Sequence, residues 1–158
     1  MKQGKFVWLT LMLVLGVSSP LTAEEAPAGA PARAPEIEAK CWSNAQPVRL
    51  YDAPKLVLLV FWSSRSRESR ELLETLEPLH EGFGPKGLLV VGLTSDDCGE
   101  AERFIHLQKT VKYKLGAESG SEKPYKVDEL PTVVLVDSSD QRIVERWSGR
   151  KAKIPAIV

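Results

Sequence analysis

Cysteine is scarce in this sequence. Two in 158 residues are too few for a disulfide-built mini-protein or a four-cysteine zinc site. Excess charge is missing as well, since 21 basic side chains balance 21 acidic ones; no global attraction draws the chain to nucleic acid or to an anionic membrane surface. Histidine is limited to His80 and His106, which leaves little choice of general base. There is no internal repeat at solenoid spacing. Gly82-Phe83-Gly84 lacks the strand and helix context of a phosphate-cradling loop. No cluster of His, Cys and carboxylate residues falls at metal-ligand spacing, so neither a metal nor a cofactor is expected. What remains is ordinary globular composition, 43% hydrophobic and 27% charged, enough for one folded domain with an appendage.

The appendage comes first. Lys2 and Lys5 precede apolar Phe6 to Val17, and Leu21-Thr22-Ala23 follows Pro20; residues 1–23 read as a secretory signal with small-residue cleavage. A bilayer span needs about 20 apolar residues, and this run is interrupted by Thr10 and Gly16, so membrane attachment is expected only if the segment stays uncleaved. The signal implies export to a periplasmic or other extracytoplasmic, oxidising compartment. Residues 24–36, rich in Ala and Pro, read as an extended linker. Residues 37–158 are the folded domain.

Within it, Ile37–Trp42 and Pro47–Tyr51, separated by Ser43-Asn44-Ala45-Gln46, read as a short hairpin. Leu56 to Phe61 is six apolar residues in a row, the pattern of a strand buried on both faces. Leu72, Leu73, Leu76 and Leu79 recur at helical spacing, with Ser66 or Ser64 as cap. Leu88 to Leu93 supplies a second buried strand, making a β-α-β unit. A second helix is predicted from Asp96-Asp97, with Ala101, Phe104 and Ile105 inward, then a polar stretch to Lys126. Thr132 to Val136 and Arg142 to Trp147 read as an antiparallel pair around Asp137-Ser138-Ser139-Asp140. The fold class is α/β.

In this order the segments resemble the thioredoxin superfamily, specifically the TlpA/ResA-like exported thiol–disulfide oxidoreductases. The resemblance rests on Phe61-Trp62 closing the first buried strand, on Gly87 to Gly92, on Tyr125-Lys126-Val127 before Leu130-Pro131-Thr132, and on Val136-Asp137 through Ile143-Val144 to Gly149. It implies a thioredoxin-like fold, a central mixed sheet flanked by helices, with a cis peptide before Pro131. It also implies a closing helix after Gly149; only Arg150 to Val158 remain, so that helix reads as truncated. Where the family carries its two redox thiols, Ser66-Arg67-Glu68-Ser69 stands here. A hydroxyl supplies neither thiolate nucleophile nor sulfur leaving group. Catalysis through these positions is therefore not expected, and Arg65 replaces the family's tryptophan before the first thiol.

The residues expected at a binding surface are Trp62, Arg65, Arg67, Leu130 and Pro131, with an extended peptide or protein as partner. The competing reading of Pro131 is a turn role alone. Arg65, Arg67 and Arg70 with Glu68 and Glu71 read as a solvated helix end, or as a carboxylate or phosphate clamp partly neutralised by its own acids. For Cys41 and Cys98 three readings stand: one structural disulfide, two separate residues, or a reactive Cys98 thiol near a helix start, which Asp96, Asp97 and Glu100 oppose. The functional expectation is a non-catalytic binding or accessory module; the alternative is a divergent oxidoreductase or antioxidant protein working through Cys98, Cys41 or both.

Overall fold

The computed structural model describes residues 33–43, 46–107 and 111–149. The expected signal, most of the linker and the expected truncated helix lie outside these residues. Six strands form one mixed sheet: β1 (Cys41–Trp42), β2 (Leu56–Phe61), β3 (Leu88–Leu93), β4 (Lys114–Ala117), β5 (Thr132–Asp137) and β6 (Arg142–Ser148), in the order β1-β4-β3-β2-β5-β6. Helices α1 (Arg67–Thr75) and α2 (Glu77–Phe83) connect β2 to β3, and α3 (Cys98–Leu107) connects β3 to β4. β2 pairs parallel with β3 and antiparallel with β5. Its six apolar residues therefore sit in the middle of the sheet, where both faces are covered.

Strand alternation divides the core. Val57, Leu59 and Phe61 point to one face, with Val91, Leu93, Val134 and Val136. Leu58, Val60 and Trp62 point to the other, where Leu73 and Leu76 cover them and Phe104 and Ile105 of α3 pack alongside. The helix expected through Leu79 is broken at Leu76, because Pro78 occupies the start of α2 and its ring and missing N–H are tolerated only in a first turn. Asp97 begins α3 as read from the sequence: its Oδ1 accepts from the backbone N–H of Gly99 at 2.9 Å and of Glu100 at 3.3 Å.

Two sequence expectations are corrected. Ile37–Trp42 and Pro47–Tyr51 do not form a hairpin. Cys41 and Trp42 pair antiparallel with Ala117 and Gly116 of β4, a strand hidden inside the stretch read as polar. Val48 and Leu50 turn into the core instead, Leu50 opening a single 3-10 turn. The apolar face of the sheet thus recruits the N-terminal segment as a cover, which burial favours over an exposed two-stranded ribbon. Packing also reaches back into the segment read as linker: Ala34 is buried, its N–H donates to Gln141 O at 2.6 Å, and Tyr125 Oη donates to Pro35 O at 2.6 Å.

Gly92 marks the tightest point of the helix-side core. A Cβ there would collide with Leu115 Cδ2 and stand 3.2 Å from Trp62 Nε1. Gly92→Ala should cost about 1–3 kcal/mol through overpacking, read as a lower urea midpoint with unchanged slope.

Candidate functional site

The carboxyl ends of β2 and β3 meet the first turns of α1 and α3, the usual place for a site in an open α/β sheet. Ser66 caps α1, its Oγ accepting from Ser69 N at 3.1 Å. Ser69 is fully buried and its hydroxyl has no partner among the described residues. The Leu130–Pro131 peptide is cis. Since Phe61 pairs with Thr132, the next step along each strand places Pro131 beside Trp62, at the mouth of α1. Pro131 is buried and Leu130 half-buried. Thr132 Oγ1 donates to Glu129 O at 2.7 Å, and Gly149 N donates to Pro131 O at 2.8 Å, fixing this turn from both sides.

Trp62 does not lie on the surface as expected. It is 0% exposed and stacks, tilted, on Phe104 with centroids 5.0 Å apart. The alternation that aims Val60 at the helices aims Trp62 there too, so its part is to pack beneath the site.

The arginines are engaged within the chain. Arg65 grips Glu100 bidentately, Nε to Oε1 at 3.1 Å and Nη2 to Oε2 at 2.8 Å. Arg67 pairs with Glu71 one turn on, and Arg70 Nη1 donates to Ser64 O at 2.6 Å. Ser64 Oγ donates to Glu100 at 2.9 Å, while Asp96 accepts from Ser64 N at 2.6 Å and from Ser63 Oγ at 3.1 Å. This network ties the loop before α1 to the start of α3. Arg65 is held through both arms of its fork, whereas Arg67 and Arg70 are each bonded through a single nitrogen, and Arg65 and Arg67 are exposed.

The hydrogen bond from Arg65, then that from Ser64, hold the Glu100 carboxyl at about 2, below its ordinary 4.5. Its folded value is depressed, so the ionised form stabilises the fold above pH 4.5, and that contribution is lost as pH falls toward 2. A carbon-detected NMR titration should place the Glu100 midpoint near 2, and Arg65→Ala should return it toward 4.5; an unmoved midpoint would contradict the assigned cause.

Cys41 and Cys98 form a disulfide, with alpha-carbons 6.1 Å apart. The pairing follows from β1 and β4: Cys41 opposes Ala117, and residue 118 accepts from Cys98 N through its side chain, at 3.4 Å. Cys41, Cys98 and Glu118 place their sulfur and carboxylate atoms within 4.8 Å of one another. The three positions are too far apart in sequence to show as a spacing motif, and Glu118 directly follows β4, the strand hidden in the polar stretch. A cleft of about 290 Å³ opens onto the disulfide, lined also by Trp42, Trp62, Ile105, His106 and Leu115. Lys40 Nζ lies 2.7 Å from Glu118 Oε2, lowering the carboxyl's pKa.

Among the described residues no helix is long and apolar enough to cross a membrane. No curated protein matches the sequence. Several solved structures share the fold. A Chlorobium tepidum protein assigned as thiol:disulfide interchange protein DsbE superposes with a TM-score of 0.67 at 23% identity, over 75% of this chain and 84% of that one. A thiol:disulfide interchange protein from Bacteroides sp. gives 0.64 at 22% identity, over 73% and 79%. StoA from Bacillus subtilis gives 0.62 at 16%, over 75% and 91%. The model of a family described as thioredoxin-like matches residues 54–143, more than half the chain and the whole span from β2 into β6. The chain belongs to the thioredoxin-like family, and it carries the fold of the TlpA/ResA-like thiol–disulfide oxidoreductases that its motifs resemble.

Proposed function

We propose that this is an exported thioredoxin-fold protein that has given up the dithiol at α1 and acts as a non-catalytic binding or accessory module. Its contact surface is the groove between Ser66 and the Leu130–Pro131 turn, and its partner an extended peptide or protein segment. One observation carries the reading: both cysteine sulfurs of the chain are joined in the Cys41–Cys98 bond, while the start of α1 offers a capping serine and a buried one. Export is supported by Lys2, Lys5, the apolar run Phe6 to Val17 and the small-residue segment ending at Ala23, and a bonded cysteine pair suits an oxidising compartment. Insulin-disulfide reduction is the test. The protein should show no turnover above that of Cys41→Ala/Cys98→Ala, and a clear excess would defeat the reading.

A second reading, a divergent oxidoreductase working through Cys41 and Cys98, is favoured by the cleft that opens onto their bond. Thiol counting with graded reductant separates the two. A bond that yields to mild dithiol and re-forms with turnover supports the enzyme; one that resists supports the binding module.

A further inference from the structure

We propose that reduction of the Cys41–Cys98 bond turns this corner of the fold into a binding site for one zinc-type cation, held by the two thiolates and the Glu118 carboxylate. A dithiol reductant supplies two electrons and two protons: its own sulfurs join, the Cys41–Cys98 bond breaks, and two thiols result. The cation then replaces the two thiol protons, which leave to solvent.

Geometry is the first support. On a tetrahedral ion with Zn–S near 2.3 Å and Zn–O near 2.1 Å, two sulfurs lie about 3.8 Å apart and sulfur and oxygen about 3.5 Å. With the sulfurs joined, a Glu118 carboxylate oxygen already lies within 4.8 Å of both. The alpha-carbons of the cysteines are 6.1 Å apart on two separate elements, β1 and the first residue of α3. The donor set is also the right chemistry: two soft sulfurs and one oxygen select zinc-type ions over calcium or magnesium.

The surroundings supply what such a site needs. Cys98 starts a helix of 10 residues, where the dipole favours a thiolate. Lys40 holds one Glu118 oxygen at 2.7 Å and the Cys98 N–H reaches the other at 3.4 Å, so the carboxylate is oriented before any ion arrives. Glu118 has φ of 47°, in the left-handed region that a non-glycine residue adopts at a cost, and such strain is common where a side chain is held for a purpose. Two thiolates and Glu118 sum to three negative charges against one positive from Lys40, and a divalent cation balances the two that remain. The cleft gives an entry path and a place for water as fourth ligand.

The full chain, reduced with a phosphine that is then removed, is titrated anaerobically with cobalt(II) as probe. The expected result is a thiolate-to-cobalt charge-transfer band that saturates at one ion per chain and is displaced by zinc, with none in the oxidised protein. Glu118→Gln should keep two countable thiols yet bind about tenfold or more weakly. Zinc should also raise the unfolding midpoint of the reduced protein and leave that of the oxidised protein unchanged. A reduced protein without the band overturns the proposal. So does a Glu118→Gln variant that binds as tightly as the unmodified chain, which would mark capture by loose thiols whether or not the reduced chain keeps its fold.

Discussion

Cys41→Ala/Cys98→Ala should lower the unfolding free energy by about 4 kcal/mol, the loop-closure value for cysteines 57 residues apart. For a domain of this size that moves the thermal midpoint down by about 15 °C. The local arrangement gives the bond its leverage. β1 has two residues, too short to hold an edge by its own ladder, and the bond fastens it to the first turn of α3. Losing the bond frees the unfolded chain and slackens that edge, so amide exchange should quicken at Lys40 and Ser43, whose N–H groups donate to Ala117 and Leu115 of β4. Calorimetry and urea titration read the first effect and hydrogen exchange the second. A loss under about 1 kcal/mol would mean the unfolded chain gains little freedom from the cut.

Ser66→Cys/Ser69→Cys should install thiol–disulfide exchange at the start of α1. The two positions already differ as an attacking and a resolving thiol must, since Ser66 is half-buried at the helix cap and Ser69 fully buried one turn inside. A thiol at position 66 would face the α1 N-terminus, which lowers its pKa, and the cis Leu130–Pro131 turn lies across from it. Insulin reduction should rise well above the unmodified background, with a reduction potential within about −270 to −120 mV, the span of thioredoxin-fold exchangers. A folded variant that forms the new bond without turnover would show that the groove no longer admits a substrate disulfide. One that forms no bond would show that the α1 turn is not arranged as a dithiol site.

Much of this fold was readable because single segments announced themselves. Six apolar residues from Leu56 admit only a central strand, and Asp97 preceding an amphipathic run admits only a helix start. Lys114–Ala117 gave no such signal. Lys-Leu-Gly-Ala has one bulky apolar side chain, and Gly116 is there because neighbours crowd it: a Cβ would stand 2.7 Å from Ala39 Cβ. That omission propagated. Without β4, Cys41 and Trp42 have no visible partner and fall to the nearest strand-like segment, so the disulfide stands only as one of three readings and Glu118 is not singled out. At α1 the residue types were legible and their engagement was not, because Glu100, which occupies Arg65, lies 35 positions away.

The place where the chain enters the domain has a practical meaning. Arg33 bridges to Arg142 and Ala34 is bonded to Gln141, at the turn end of β5 and β6. Six residues of β5 separate that turn from Pro131, about 20 Å at strand rise. Arg33 therefore marks the pole of the domain opposite Ser66 and Leu130. A sensor surface or resin coupled ahead of Arg33 grips the molecule at its base and leaves the Ser66 and Leu130 end facing away from the support.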